Sequence, residues 1–140
     1  MIEAGLVALI QSGLQSSSPP TIVDGGFAVE LPKDQISKKN TMAWSYRFIS
    51  AEPNVFLNGE DGFTQATVQI DCHGNQMQDA IHLARAIMRV LRGGFRGKLP
   101  DPDATYVDSI VRQSTFVDGF SDVNRSFVRS LEYRVCFNQV

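Results

Sequence analysis

Phe63-Thr-Gln-Ala-Thr-Val-Gln-Ile-Asp-Cys-His-Gly-Asn-Gln-Met-Gln-Asp-Ala-Ile-His-Leu-Ala-Arg-Ala-Ile-Met-Arg-Val-Leu-Arg92 is the stretch whose reading decides the fold. Its first eleven residues alternate. Thr64, Ala66, Val68, Ile70 and Cys72 fall on one side, and Gln65, Thr67, Gln69, Asp71 and His73 on the other. A period of two with one apolar face predicts a half-buried β-strand. After Gly74 the period changes: Met77, Ala80, Ile81, Ala84, Ile87, Met88 and Leu91 recur at helical spacing, with Gln78, His82, Arg85, Arg89 and Arg92 opposite. The stretch therefore predicts strand, glycine turn and amphipathic helix. Asn75 is the expected cap, with Gln78 three residues on.

Working outward toward the N-terminus, Thr41 to Ser50 predicts another strand, with Met42, Trp44, Tyr46 and Phe48 sharing a face against Ala43, Ser45, Arg47 and Ile49. Between the two strands, Ala51-Glu-Pro-Asn-Val-Phe-Leu-Asn-Gly-Glu-Asp-Gly62 is rich in turn formers and reads as the extended tip of a hairpin. Val55, Phe56 and Leu57 in that tip are expected to cover core or meet a partner. Ile2 to Leu14, with Leu6, Leu9, Ile10 and Leu14 on one side, predicts a first helix weakened by Gly5 and Gly13. Residues 17–40 read as a long loop holding at most a short extended piece, Phe27 to Leu31.

Toward the C-terminus, Gly93-Gly94 is expected to stop the second helix. Thr105 to Val117 alternates imperfectly, Asp118 to Asp122 reads as a turn, and Arg125 to Val140 alternates clearly. On the apolar side of that last strand Arg129 is the exception, expected at the sheet margin. The predicted order is α-β-β-α-β-β: one α+β domain spanning residues 1–140, its antiparallel sheet of about four main strands built from two hairpins, with two helices on one face.

Composition narrows the functional classes. The chain has 140 residues, 43% hydrophobic and 20% charged, with a formal net charge of −2. These values suit a globular domain and lack the dominant positive field of a DNA-binding module. No run approaches a membrane span, and the apolar N-terminus carries Glu3 without a basic leader, so a short helix is expected there instead of a signal peptide. The two cysteines, Cys72 and Cys136, suggest a reducing compartment.

Candidate chemistry is sparse. Asp71-Cys72-His73 brings nucleophile, base and carboxylate types together, but neighbours in a strand point to opposite faces. Cys72 is expected in the core, as a small hydrophobe. His73 and His82 are the only histidines, and no metal-binding spacing is present. Gly93-Gly-Phe-Arg-Gly-Lys98 follows a helix instead of opening one, so a helix stop and loop is expected there, not a phosphate loop. Neither enzyme activity nor a cofactor is expected. Arg85, Arg89 and Arg92 form a basic stripe: by default a solvated helix face, more sharply a contact to an acidic neighbouring subunit or to nucleic acid.

The order and texture of these segments resemble the tail-completion or tail-terminator proteins of phages with long, non-contractile tails. The resemblance is carried by the short N-terminal helix, the extended Leu31-Pro32 region, the aromatic strand at Trp44-Ser-Tyr46, the strand Ala66-Thr-Val-Gln-Ile-Asp-Cys-His-Gly74 running into Asn75-Gln-Met-Gln-Asp-Ala-Ile-His-Leu-Ala84, and the late strands around Tyr106 to Phe116 and Phe127 to Phe137. It implies a structural virion protein that forms a homo-oligomeric ring, commonly a hexamer, at the head-proximal end of the tail tube. Such a ring stops tube polymerisation and joins tail to head. The implied partners are the chain itself, the tail-tube protein and head-connector or neck proteins, with DNA passing through the channel without specific binding and no membrane involved. Assembly would take place in the host bacterial cytoplasm. On this reading Arg85, Arg89 and Arg92, the row Thr67, Gln69 and Asp71, and the tip residues Val55, Phe56 and Leu57 become interface candidates. The alternatives are a head-side adaptor, a tube subunit, or a small ligand-binding α+β regulatory domain.

Overall fold

Residues 64–72 do form a strand, and the alternation sorts them as expected: Thr64, Ala66, Val68, Ile70 and Cys72 are buried, while Gln65, Thr67, Gln69 and Asp71 are half-buried. A computed structural model describes residues 2–16, 24–29, 31, 36, 41–56, 59–92, 96–100, 106–113, 117–121 and 125–138. Among these, the chain runs α1 (Glu3–Ser16), β1 (Asp24–Ala28), β2 (Met42–Phe56), β3 (Gly59–Gly74), α2 (Met77–Val90), β4 (Gly97–Lys98), β5 (Tyr106–Arg112), β6 (Val117–Ser121) and β7 (Ser126–Asn138).

The expectation of four strands in two antiparallel hairpins is therefore corrected. Seven strands form one curled, mixed sheet, like half of a barrel, in the order β1-β2-β3-β7-β5-β4, with β6 also on β7. Three strands escaped the sequence reading, each for a physical reason. Asp24–Ala28 has no alternation. It pairs in parallel with Ala43 to Tyr46, taking its register from β2 instead of from its own side chains. Gly97–Lys98 is only two residues long. Val117-Asp-Gly-Phe-Ser121 has the composition of a turn yet pairs with Ser126 to Ser130, because β5 and β6 share one edge of β7.

Both predicted loops shrink accordingly. Residues 17–40 contain β1, although most of that stretch lies outside the described residues. Within residues 51–62, β2 runs to Phe56 and β3 starts at Gly59, paired as Val55↔Glu60 and Phe56↔Gly59. The expected tip is thus a long hairpin arm.

Local irregularities set which side chains face the core. A bulge in β5 between Val107 and Ser109 puts Val107 and Ile110 on the same buried face, which is why that segment's alternation looked imperfect. A second bulge in β2, between Phe48 and Ser50, leaves Ile49 exposed. On the core face Trp44, Tyr46 and Phe48 form an aromatic ladder with ring centroids 6.4 and 6.2 Å apart.

Helix α2 packs on β3 and β7, and α1 packs on α2 and β1. Its buried face differs from the predicted stripe: Ala80, Leu83, Ala84, Ala86 and Ile87 are buried, while Met77, Ile81 and Met88 are only partly so. Leu83 and Ala86 were missed because α2 is covered twice, by the sheet and by α1. At the crossing, any side chain on Gly13 would overlap Val90, so the glycine that weakens α1 also permits the close approach. Trp44 Nε1 donates to Gln11 Oε1 at 2.9 Å, tying α1 to β2. The N-cap is Gln76, not Asn75, and it makes no side-chain cap bond. The expected stop at Gly93-Gly94 lies outside the described residues, and α2 ends at Val90 with Leu91 as its C-cap.

Candidate assembly surfaces

One turn of α2 to the next, Arg85, Arg89 and Arg92 repeat at spacings of four and three, so the helix brings their guanidinium groups to one exposed side. The sheet adds what the sequence reading missed. Arg112 ends β5 on the core face, opposite Tyr133 of β7. Its Nη1 lies 3.3 Å from the sulfur of Met88. Together with Leu91 these residues line an open groove of about 680 Å³ between α2 and the sheet. Tyr133 is buried at the groove, and burial pushes its phenol up to about 12, offset in part by Arg112, so it stays a neutral hydroxyl at physiological pH.

Among the described residues, the charges in this groove have no ion-pair partner. Among the described residues the ion pairs are Arg96 with Asp108 at 3.7 Å and Arg129 with Asp118 at 2.7 Å. None involves Arg85, Arg89, Arg92 or Arg112. Arg89 Nε donates to the Arg85 carbonyl at 3.4 Å, which orients the side chain without neutralising it. Four cations round one concavity create a local positive field in a chain whose net charge is negative.

The row Thr67, Gln69 and Asp71 lies on the opposite face of β3, half-buried. Here the polar groups are tied to each other across three strands. Arg47 Nη2 of β2 donates to Gln69 Oε1 at 3.2 Å, and Gln69 Nε2 donates to Asp71 Oδ1 at 2.9 Å. Ser130 Oγ of β7 donates to the same Asp71 oxygen at 2.6 Å. Thr67 sits in register with Arg134. At the end of the row His73 is buried, with Nδ1 2.9 Å from Ser126 Oγ and Nε2 3.5 Å from Ser45 Oγ. Burial lowers its affinity for a proton, while the Asp71 charge acts the other way.

Arg129, expected at a margin, is in fact 8% exposed, on the core face of β7. It makes a two-point pair with Asp118 of β6, at 2.7 and 3.0 Å. That pairing required β6 to be a strand. The hydrogen bond from Arg129 is the main influence holding the Asp118 carboxyl below the usual carboxylate range. Beyond this pair the Phe120 and Phe127 rings meet edge to face at 5.1 Å, and both remain partly exposed.

Cys72 is fully buried, and burial, helped by Asp71, pushes its thiol far above the range of a reactive cysteine. Among the described residues, no three His, Cys, Asp or Glu side chains are placed to hold a metal ion, and no helix is long and apolar enough to cross a membrane. Of the hairpin candidates, Val55 and Phe56 end β2, and Leu57 lies outside the described residues. Compared with family profiles and with curated proteins, the sequence matches neither a family nor a relative.

Proposed function

We propose that this chain is the ring-forming terminator of a long, non-contractile phage tail, seated at the head-proximal end of the tube. Its role there is to stop tube polymerisation and to offer a docking surface to the head connector. The activity is carried by interfaces and involves no catalysis. DNA passes through the ring without specific recognition, and assembly takes place in the bacterial cytoplasm.

The observation that carries this reading is the pair of unlike edges of the sheet. On one side, β1 pairs only with Ala43 to Tyr46, so β2 beyond Tyr46 has a bare outer edge among the described residues, next to exposed Ile49. On the other side, β4 covers only Tyr106 and Val107, and beyond it Val111, Val117 and Phe120 are exposed. A closed ring requires two different patches on each subunit that meet head to tail. Open strand edges bearing apolar side chains are suited to such contacts.

The test is the solution mass of the purified chain across concentration, followed by negative-stain imaging. Closed rings of one size that cap one end of purified tails support the proposal. Filaments of indefinite length point to a tube subunit and overturn it. A monomer that binds filled heads but not tails points to a head-side adaptor and also overturns it.

A further inference from the structure

Among the described residues β6 packs on β7 and on no other element. Val117, Asp118, Gly119 and Phe120 are all exposed, so neither face of the strand is roofed. A Cβ added at Gly119 would meet nothing within 4 Å. The strand is nonetheless held in place. Arg129 grips Asp118 at two points, and the Phe127 ring meets Phe120 edge to face. On the side away from β7, the main-chain groups of Val117 to Phe120 have no ladder partner among the described residues. An exposed, apolar edge strand of this kind is a template for a further strand.

β2 offers a matching edge. β1 accompanies it as far as Tyr46, whose carbonyl accepts from Val29 N at 2.7 Å. From Arg47 to Ile49 the strand continues with no outer ladder partner among the described residues. Two short strands in line along a long one is an arrangement this sheet already uses, since β6 and β5 follow each other along β7. A strand placed after β1 on β2 would repeat it. The side chains suit such a join: Ile49 is 53% exposed, Val117 69% and Phe120 54%. The charges suit it too. Asp118 is the only charged residue of β6, and exposed Arg47 stands beside Ile49 on β2. Pairing β6 with its own copy would instead bring two Asp118 carboxylates into neighbouring rows, and like charges across paired strands are destabilising.

We propose that β6 of one copy adds as a strand to the outer edge of β2 in the next copy, in line with β1. Main-chain hydrogen bonds join the two sheets, and Ile49, Val117 and Phe120 leave water at the seam. Arg129 is a positioning residue here: through Asp118 it holds β6 at the edge of its own sheet, ready to pair. The two edges belong to different parts of one subunit, so the contact is head to tail and repeats until it closes. It rests on the ring reading for that closure, but not for the strand pairing itself.

The experiment is sedimentation of the full chain in two variants, each blocked at one edge: Ile49→Lys on β2 and Val117→Lys on β6. A lysine on an edge strand opposes strand addition. Both positions are exposed, and thermal melts check that the fold is kept. Each variant alone is expected to self-associate roughly 10- to 100-fold more weakly than wild type. Mixed, the two are expected to form one-to-one dimers and nothing larger, because each keeps the edge that the other has lost. Amide hydrogen exchange is expected to slow at Arg47 to Ile49 and at Val117 to Phe120 when the wild-type chain assembles. If a lysine variant does not fold, threonine at the same position takes its place, and a smaller loss is expected. A mixture without dimers overturns the contact, as does exchange that does not slow at the two segments. Loss of association in Val117→Lys alone, with Ile49→Lys unaffected, shows β6 pairing with its own copy and also overturns it. Rings that persist in both variants overturn the contact and leave the ring reading standing. Wild-type filaments, with dimers in the mixture, support the contact and overturn the ring reading. A wild-type chain that is monomeric up to the solubility limit overturns the contact.

Discussion

The arginine groove and the polar row of β3 are both built from residues whose types suggest an interface, yet they are opposite in their internal accounts. In the row, Arg47, Gln69, Asp71 and Ser130 are bonded to one another across three strands, and His73 is held between two serines. In the groove, Arg85, Arg89, Arg92 and Arg112 surround a concavity and no described carboxylate pairs with them. Polarity therefore does not mark a contact surface by itself. A satisfied network rigidifies the sheet, whereas uncompensated charge leaves free energy available to a partner.

Gly74 joins the two regions, closing the row at His73 and launching α2, and its substitution is the most damaging change expected. A Cβ there would run into the backbone nitrogen of Ala80 and the carbonyl of Gln76, neither of which can swing aside. Gly74→Ala is expected to cost about 3 kcal/mol, read by chemical denaturation, since both the strand end and the helix start must shift. A cost under about 1 kcal/mol would show that the joint is plastic.

Next in size, Asp71→Ala strips the acceptor shared by Gln69 and Ser130 and is expected to cost about 1–3 kcal/mol of stability without weakening self-association. The matching change in the groove, Arg85→Ala with Arg89→Ala, reverses that pattern. Stability is expected to stay within about 0.5 kcal/mol of wild type while association falls, because both side chains are exposed and, among the described residues, make no ion pair within the subunit. If Asp71→Ala dissolves the assembly, or the arginine pair unfolds the chain, the contrast between the two regions fails.

The smallest effect is a pH dependence at His73. Burial sets its folded value below the ordinary one near 6.5. The unfolded chain therefore takes up the proton first as pH falls. Stability is present above about 6.5, declines below it, and stops declining once the folded value is passed. Thermal melts from about pH 7.5 to pH 5 are expected to show this decline in wild type and a shallower one in His73→Gln. Identical slopes would place the proton uptake elsewhere.

Legibility along the chain follows how local the deciding interaction is. β3 was readable because one face packs on the core, which periodicity records directly; α2 was readable as a helix, but its burial on two sides, by the sheet and by α1, shifted its buried face from the apparent stripe. β1 and β6 were not, since Asp24-Gly-Gly-Phe-Ala28 and Val117-Asp-Gly-Phe-Ser121 become strands only by pairing with β2 and β7. The arginine stripe was visible as a helical repeat. The groove was not: the β5 bulge obscured which face Arg112 shares, and Tyr133 read as ordinary core.

By itself, then, the amino-acid sequence determined the β3 alternation, the second helix, the burial of Cys72 and the one-sided arginines, all of which depend on neighbours a few residues away. Only the tertiary structure decided that the sheet has seven strands, that Arg129 is buried against Asp118, and that Arg112 and Tyr133 complete the groove. The reason is physical. Strand pairing and charge compensation are set by partners distant in sequence, and periodicity carries no record of them.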